Sequence, residues 1–276
     1  MISFPACKIN LGLHVLHQRR DGFHNIETVF YPVQWNDALE IIEYKGKRKV
    51  KVRFRSVGLP IDGPAQHNLC LRAYHLLDDD FDLPPVNIIL QKNIPMGAGL
   101  GGGSSDAAAV IRLLNQMCEL RLTIRQQERY AARLGSDCAF FIQSLPALAS
   151  GRGERLKHIP LSLDGWHIAV VHPGIHVSTA QAYAGVEKRG TTSGDEKLEQ
   201  IIRQPASEWS TLLQNDFEKT VFAAHPTIHN LKEKMYEAGA VYAAMSGSGS
   251  AVFGLFAKSP KLPASLKKMK HYIGTL

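Results

Sequence analysis

From Ser3 to Val15 the odd positions Cys7, Ile9, Leu11, Leu13 and Val15 are apolar, while Lys8, Asn10 and His14 fall on even ones. A period of two over this length predicts a half-buried strand with a polar stripe on its second face. Strand patterns return at residues 26–33 and 38–44. Residues 49–55 read K-V-K-V-R-F-R, which puts Val50, Val52 and Phe54 on the core side and the cations in water. Asn68 is placed to cap a helix through Leu71, Ala73, Leu76 and Leu77 that stops near Asp78, Asp79 and Asp80. Pro84 and Pro85 break the chain before a strand at 86–91. Ala107, Val110, Ile111, Leu114 and Cys118 share one helical stripe, so a helix is expected from about Ser104. Thr123 with Gln126 forms a capping-box pattern for another helix ending at Gly135.

Short strands then flank a turn at Ser150-Gly151-Arg152-Gly153, and a second half begins near 156–165. It carries a strand at 166–172, helical stretches to about Tyr236, and a strand at 240–245. The tight turn Ser246-Gly247-Ser248-Gly249 leads to a strand at 251–257 and a terminal basic helix. Strands and helices mix without a steady βαβ alternation. The expected fold class is α+β in two domains, residues 1–155 and 156–276.

Composition narrows the class. The 276 residues are 45% hydrophobic and 21% charged, a balance that excludes wholesale disorder. No apolar run approaches the roughly 18 residues of a membrane span, and no leader pattern opens the chain, so a cytoplasmic protein without a membrane partner is expected. Cys7, Cys70, Cys118 and Cys138 show no C-x-x-C spacing and no nearby His pair. They read as reduced, mostly buried thiols and imply no metal site. The formal charge of +7 is matched by one local run, namely Lys45, Lys47, Arg48, Lys49, Lys51, Arg53 and Arg55. A nucleic-acid patch is one reading of that run. Cations alternating with core residues also protect an exposed strand edge from pairing, and this needs no ligand. The second reading is preferred, and no nucleic-acid partner is expected.

The segment Pro95-Met96-Gly97-Ala98-Gly99-Leu100-Gly101-Gly102-Gly103-Ser104-Ser105 lies between a strand and a helix. Glycines free the backbone to turn successive N–H groups inward, and the helix start adds its own unpaired N–H groups. An anionic phosphate is the natural guest. A Walker A loop would need Lys after the second Gly of G-x-x-x-x-G, but Gly103 follows Gly102. The dinucleotide fingerprint is met formally by Gly97, Gly99 and Gly102. Its ribose-binding acid should close a second parallel strand, whereas Glu119 ends a helix that another helix follows.

The same segment, continued by Asp106-Ala107-Ala108, resembles the P-x-x-x-G-L-G-S-S phosphate loop of the GHMP small-molecule kinases, with a Gly pair added before the serines. Pro5-Ala6-Cys7-Lys8-Ile9-Asn10-Leu11 and Ser246-Gly247-Ser248-Gly249-Ser250-Ala251 resemble the other two motifs of that family, in order. Between them stand Arg20-Asp21-Gly22-Phe23-His24 and Gly135-Ser136-Asp137-Cys138-Ala139-Phe140-Phe141, similar to a branch whose acceptor is a cytidine diphosphate alcohol. Three positions depart from the family pattern: Cys7 is extra, Ala139 stands for Pro, and Phe23 stands for Tyr.

The resemblance implies an N-terminal domain like one of a ribosomal protein and a C-terminal ferredoxin-like α/β sandwich. It implies ATP with Mg2+, small-molecule partners only, and a monomer or weak homodimer. Residues Pro95 to Ser105 would hold ATP, with Asn68 and Lys92 as further nucleotide contacts. Asp137 would be the base that takes the hydroxyl proton and Lys8 its cationic partner. Read alone, Asp137 fits better as the cap of a short helix at 138–142, and Lys8 as a solvated strand lysine. Asn10, Phe23, His24, Thr179 and Tyr183 would bind the acceptor. No metal ligand is assigned. The competing readings are a related kinase acting on homoserine, mevalonate or a sugar, and a basic RNA-binding protein.

Overall fold

The computed structural model describes residues 1–46, 50–186 and 198–276. Lys47, Arg48 and Lys49 of the basic run and the segment around Gly190 lie outside the described residues. The chain folds as two compact units, each discontinuous in sequence. The first comprises Met1–Cys7, Trp35–Met96 and Gly101–Leu145; the second comprises Lys8–Gln34, Gly97–Leu100 and Pro146–Leu276.

In the first unit the strands Ile2–Ser3, Ala38–Glu43, Val86–Lys92 and Val52–Gly58 form one sheet in that spatial order. Val52–Gly58 runs parallel to Val86–Lys92, a pairing that requires a crossover, and the helix Leu69–Phe81 supplies it. This helix buries Cys70, Ala73, Tyr74 and Leu77, then continues past the expected stop to Asp82, whose left-handed backbone closes it. The basic strand is a sheet edge, as its alternation required. Val52 is buried, but Val50 is 57% exposed because it precedes the first paired residue. Lys51 Nζ meets Asp78 at 2.9 Å and Asp82 at 2.6 Å, so part of the basic run is neutralised by the acidic end of the helix. The helices Gly102–Met117, Ile124–Leu134 and Phe140–Gln143 complete the unit, the second opening on the capping box of Thr123 and Gln126.

The second unit holds two sheets. One orders Ala6–Gln18, His24–Asn36, Ala147–Gly151 and Arg155–His158. The other orders Tyr242–Met245, Val252–Phe256, His167–His172 and Lys270–Thr275, all antiparallel. The expected terminal basic helix is therefore a correction. Only Ala264–Lys267 is helical, and the remaining end pairs residue for residue with His167–His172, whose open edge outweighs local helix propensity. A core containing Leu13, Val15, Phe217, Met235, Met245 and Val252 joins the first long strand to the last third of the chain. Among the described residues no helix is long and apolar enough to cross a membrane.

Candidate active site

The Gly-rich loop enters its helix earlier than the hydrophobic stripe indicated. Gly101 is the cap residue at φ 69°, and the helix starts at Gly102 rather than Ser104. Ser105 N already bonds to Gly101 O at 2.9 Å, so the amides of Gly102, Gly103 and Ser104 are the free turn. Ser105 itself is buried. Gly102 is a glycine for packing: a Cβ there would lie 2.9 Å from Ile94 Cγ2 and 3.0 Å from Lys92 Nζ. Gly99 is one for close approach. Its φ is 77°, and a Cβ would sit 1.9 Å from the Ser246 carbonyl oxygen.

Lys92 ends the strand Val86–Lys92 with its side chain fully buried. Its ammonium donates to Asp106 Oδ2 at 2.7 Å and to Asp37 Oδ2. Asp37 also accepts from the backbone N–H groups of Asn93 and of Ile94, the latter at 2.8 Å. Burial pushes the Asp106 carboxyl up to about 7; Lys92 opposes the shift and Asp37 reinforces it. Sequence pattern alone does not bring these two acids to one cluster. Their signal was present: Asp37 stands alone between two apolar strand patterns, and Asp106 directly follows the loop serines.

Asn68 caps the helix Leu69–Phe81, its side-chain oxygen accepting from Cys70 N at 2.9 Å and Leu71 N at 3.4 Å. It also lines a cavity of about 260 Å³ with Phe54, Leu90, Met96, Gly103 and Asp106. Asn68→Ala is expected to cost about 0.5–2 kcal/mol in a denaturant melt, the value of a lost cap. A fall in ATP affinity beyond that stability loss would mark a direct nucleotide contact.

In the second unit the polar stripe of the first strand is buried and ordered. Lys8 Nζ donates to Asn10 Oδ1 at 2.6 Å and to the Gly99 carbonyl at 2.9 Å, and lies 4.9 Å from the centre of the Phe30 ring. Asn10 Nδ2 donates to Thr28 Oγ1 at 2.9 Å. Ser246 Oγ reaches Gly99 O at 2.9 Å and Asn10 Oδ1 at 3.3 Å. Asn215 Nδ2 donates to the carbonyls of Met245 and Gly247, each at 2.8 Å, and so fixes the start of the glycine-serine turn. Asn215 has no motif around it and was not legible beforehand. Its contribution is visible only through the turn it holds.

Phe23 is 54% exposed, with the Arg152 guanidinium 5.0 Å from its ring centre. His24 stacks on Tyr183 at 4.8 Å and 14° between planes. Tyr183 also meets Phe217 edge-on at 4.7 Å. Thr179 is exposed, its Oγ1 3.4 Å from Ser248 Oγ. The structure thus joins His24 to Tyr183, leaves Phe23 on the surface beside Arg152, and sets Thr179 against the turn.

Asp137 is half-buried in the turn before Phe140–Gln143. Ala139 holds the cap position of that helix. Cys7, Cys70 and Cys138 are buried free thiols and Cys118 is half-buried; burial pushes the Cys138 thiol up to about 11. Among the described residues no three His, Cys, Asp or Glu side chains converge as a metal site.

Residues 68–144 match the family pattern described as GHMP kinases N terminal domain, and residues 198–272 match GHMP kinases C terminal. Fold and loop together define a GHMP kinase, an ATP-dependent phosphotransferase. The 4-diphosphocytidyl-2-C-methyl-D-erythritol kinase of Bacteroides fragilis is 48% identical over 262 residues, covering 95% of this chain and 94% of that one. That of Cytophaga hutchinsonii is 51% identical over 263 residues, with the same coverage of 95% and 94%. A crystal structure of 4-(cytidine 5'-diphospho)-2C-methyl-D-erythritol kinase matches with a TM-score of 0.79 and 31% identity, over 100% of this chain and 98% of that one. The chain belongs to this kinase family.

Proposed function

We propose that the protein transfers the γ-phosphoryl group of ATP to the 2-hydroxyl of 4-diphosphocytidyl-2-C-methyl-D-erythritol, a step toward isoprenoid precursors. The likeness to relatives of that name along 95% of the chain carries this reading. In it the backbone of Pro95 to Ser105 cradles the triphosphate, and Asn68 stands at the nucleotide end, with Lys92 acting there only indirectly because its side chain is fully buried. Asp137 takes the hydroxyl proton, and Lys8, oriented by Asn10 and the Gly99 carbonyl, steadies the developing alkoxide. Mg2+ accompanying ATP would supply neutralisation of the phosphate charge, and a hydroxyl of the loop serines would be its protein contact. Residues 1–155 carry the loop and the catalytic groups, and 156–276 complete the acceptor site. The enzyme works in the cytoplasm without nucleic acid or membrane, as a monomer or weak homodimer. Coupled ADP release tests the reading: turnover is expected with the cytidine diphosphate alcohol, and equal turnover with mevalonate or homoserine would overturn it.

The cytosine is assigned to Phe23, His24, Tyr183 and Thr179. Stacking on a base is worth about 1–3 kcal/mol per aromatic ring, so Phe23→Ala should raise the acceptor KM about tenfold with the ATP KM nearly unmoved. Tyr183→Ala should act mainly through the His24 ring that rests on it. A rise confined to the ATP KM would put these rings at the other nucleotide.

A further inference from the structure

The cluster of Asp37, Lys92 and Asp106 sits where the phosphate loop begins and ends. Lys92 is the last strand residue before the loop, and Asp106 lies in the first two turns of the helix after it. A single buried ammonium bonds both that helix and Asp37, and Asp37 in turn holds the N–H groups of Asn93 and Ile94 at the loop's entry. The missing side chain at Gly102 is what lets the ammonium come this close to the helix start. With 0% of its side chain exposed, Lys92 has no path to a bound nucleotide except through these neighbours.

We propose that Lys92 is a positioning residue for the phosphate loop, clamping its two ends through Asp37 and Asp106 so that the free amides of Gly102, Gly103 and Ser104 keep a fixed separation from its entry. The inference rests on the assignment of this loop to ATP. The clamp also responds to protons. The charged and titratable groups around Asp106 are Lys92 from the strand, Asp37 from the loop before Ala38–Glu43, and the Cys70 thiol from the helix Leu69–Phe81; Asp62 and His67 line the same cavity. Burial holds Cys70 well above its usual range, so it stays neutral. With Asp106 protonated the three-residue cluster is neutral. With Asp106 ionised it carries one net negative charge beneath a loop that receives a polyanion. Because the Asp106 carboxyl lies near 7, ATP affinity should fall as pH rises through neutrality.

The test is calorimetric ATP binding to the full chain between pH 6 and 8.5, alongside acceptor KM and kcat. Lys92→Met, checked for folding by circular dichroism, should weaken ATP binding by about tenfold or more, since displacements near 1 Å in a positioned site cost up to a hundredfold. The acceptor KM should stay near the wild-type value. Asp106→Asn keeps an acceptor for Lys92 but cannot ionise, so it should remove a fall of about threefold across neutrality that the wild type shows. Comparing the two proteins cancels the titration of ATP itself. A folded Lys92→Met protein binding ATP within twofold of wild type overturns the clamp. If Lys92→Met does not fold, a folded Asp37→Ala protein that binds ATP within twofold of wild type overturns it instead. A wild-type protein that fails to bind ATP at all sinks the loop assignment beneath it, and that result is distinct from either.

Discussion

Asp137→Asn should lower kcat by about 10²–10⁴, the usual contribution of a positioned general base, while ATP binding stays nearly intact. The amide keeps the shape and one hydrogen bond but cannot accept the hydroxyl proton. Lys8→Ala should lose a comparable factor. Its ammonium is buried and aimed by Asn10 Oδ1 at 2.6 Å, so alanine removes a fixed charge that a mobile ion cannot replace. Residues acting as a unit are strongly non-additive, and the double variant should be little worse than either single one. ADP release at saturating substrates measures all three. Fully additive losses would mean that the two residues act independently. Wild-type kcat in Asp137→Asn would remove the base from the mechanism.

Gly99→Ala should abolish turnover through backbone geometry alone. At φ 77° a side chain already costs about 1–3 kcal/mol in strain. The larger effect is collision: the added carbon would sit 1.9 Å from the Ser246 carbonyl oxygen and 2.8 Å from its carbon, and neither can rotate away. Loop and turn must part, taking with them the carbonyl that Lys8 and Ser246 both use. A loss of at least about 100-fold in kcat/KM is expected for a shift near 1 Å. Gly165→Ala is the matched control. Its φ is 82° and nothing lies within 4 Å, so it carries the strain without the collision. It should lower the melting temperature and leave kcat unchanged. Equal activity loss in both variants would mean that strain, not close approach, governs Gly99.

Much of this was legible in the chain because the signals were local. The odd-even pattern from Cys7 to Val15 became the strand Ala6–Gln18, and Thr123 with Gln126 became a complete capping box. The glycine-rich loop stood out because its composition has one economical explanation, an approach to backbone or phosphate. The misses share a different cause. The last strand, Lys270–Thr275, reads as a basic helix until the edge of His167–His172 is available to pair with it. Val50 follows the alternation perfectly, yet it lies before the point where strand pairing begins. Asp37 and Asp106 are 69 residues apart, and no local rule links two carboxylates that meet only at a third residue. The two units are interleaved in sequence, the chain passing between them five times.

That interleaving sets a timetable for synthesis. The strand that carries Lys8 and Asn10 emerges well before its partners: its sheet includes Ala147–Gly151, and its apolar residues Leu13 and Val15 find their core partners only at Met245 and Val252. At ribosomal rates of about 5–20 residues per second, the wait is roughly 10–50 s. Throughout that interval an aliphatic strand is without its wall, and a nascent chain halted before the last sheet offers that strand to holdase chaperones or to a neighbouring copy.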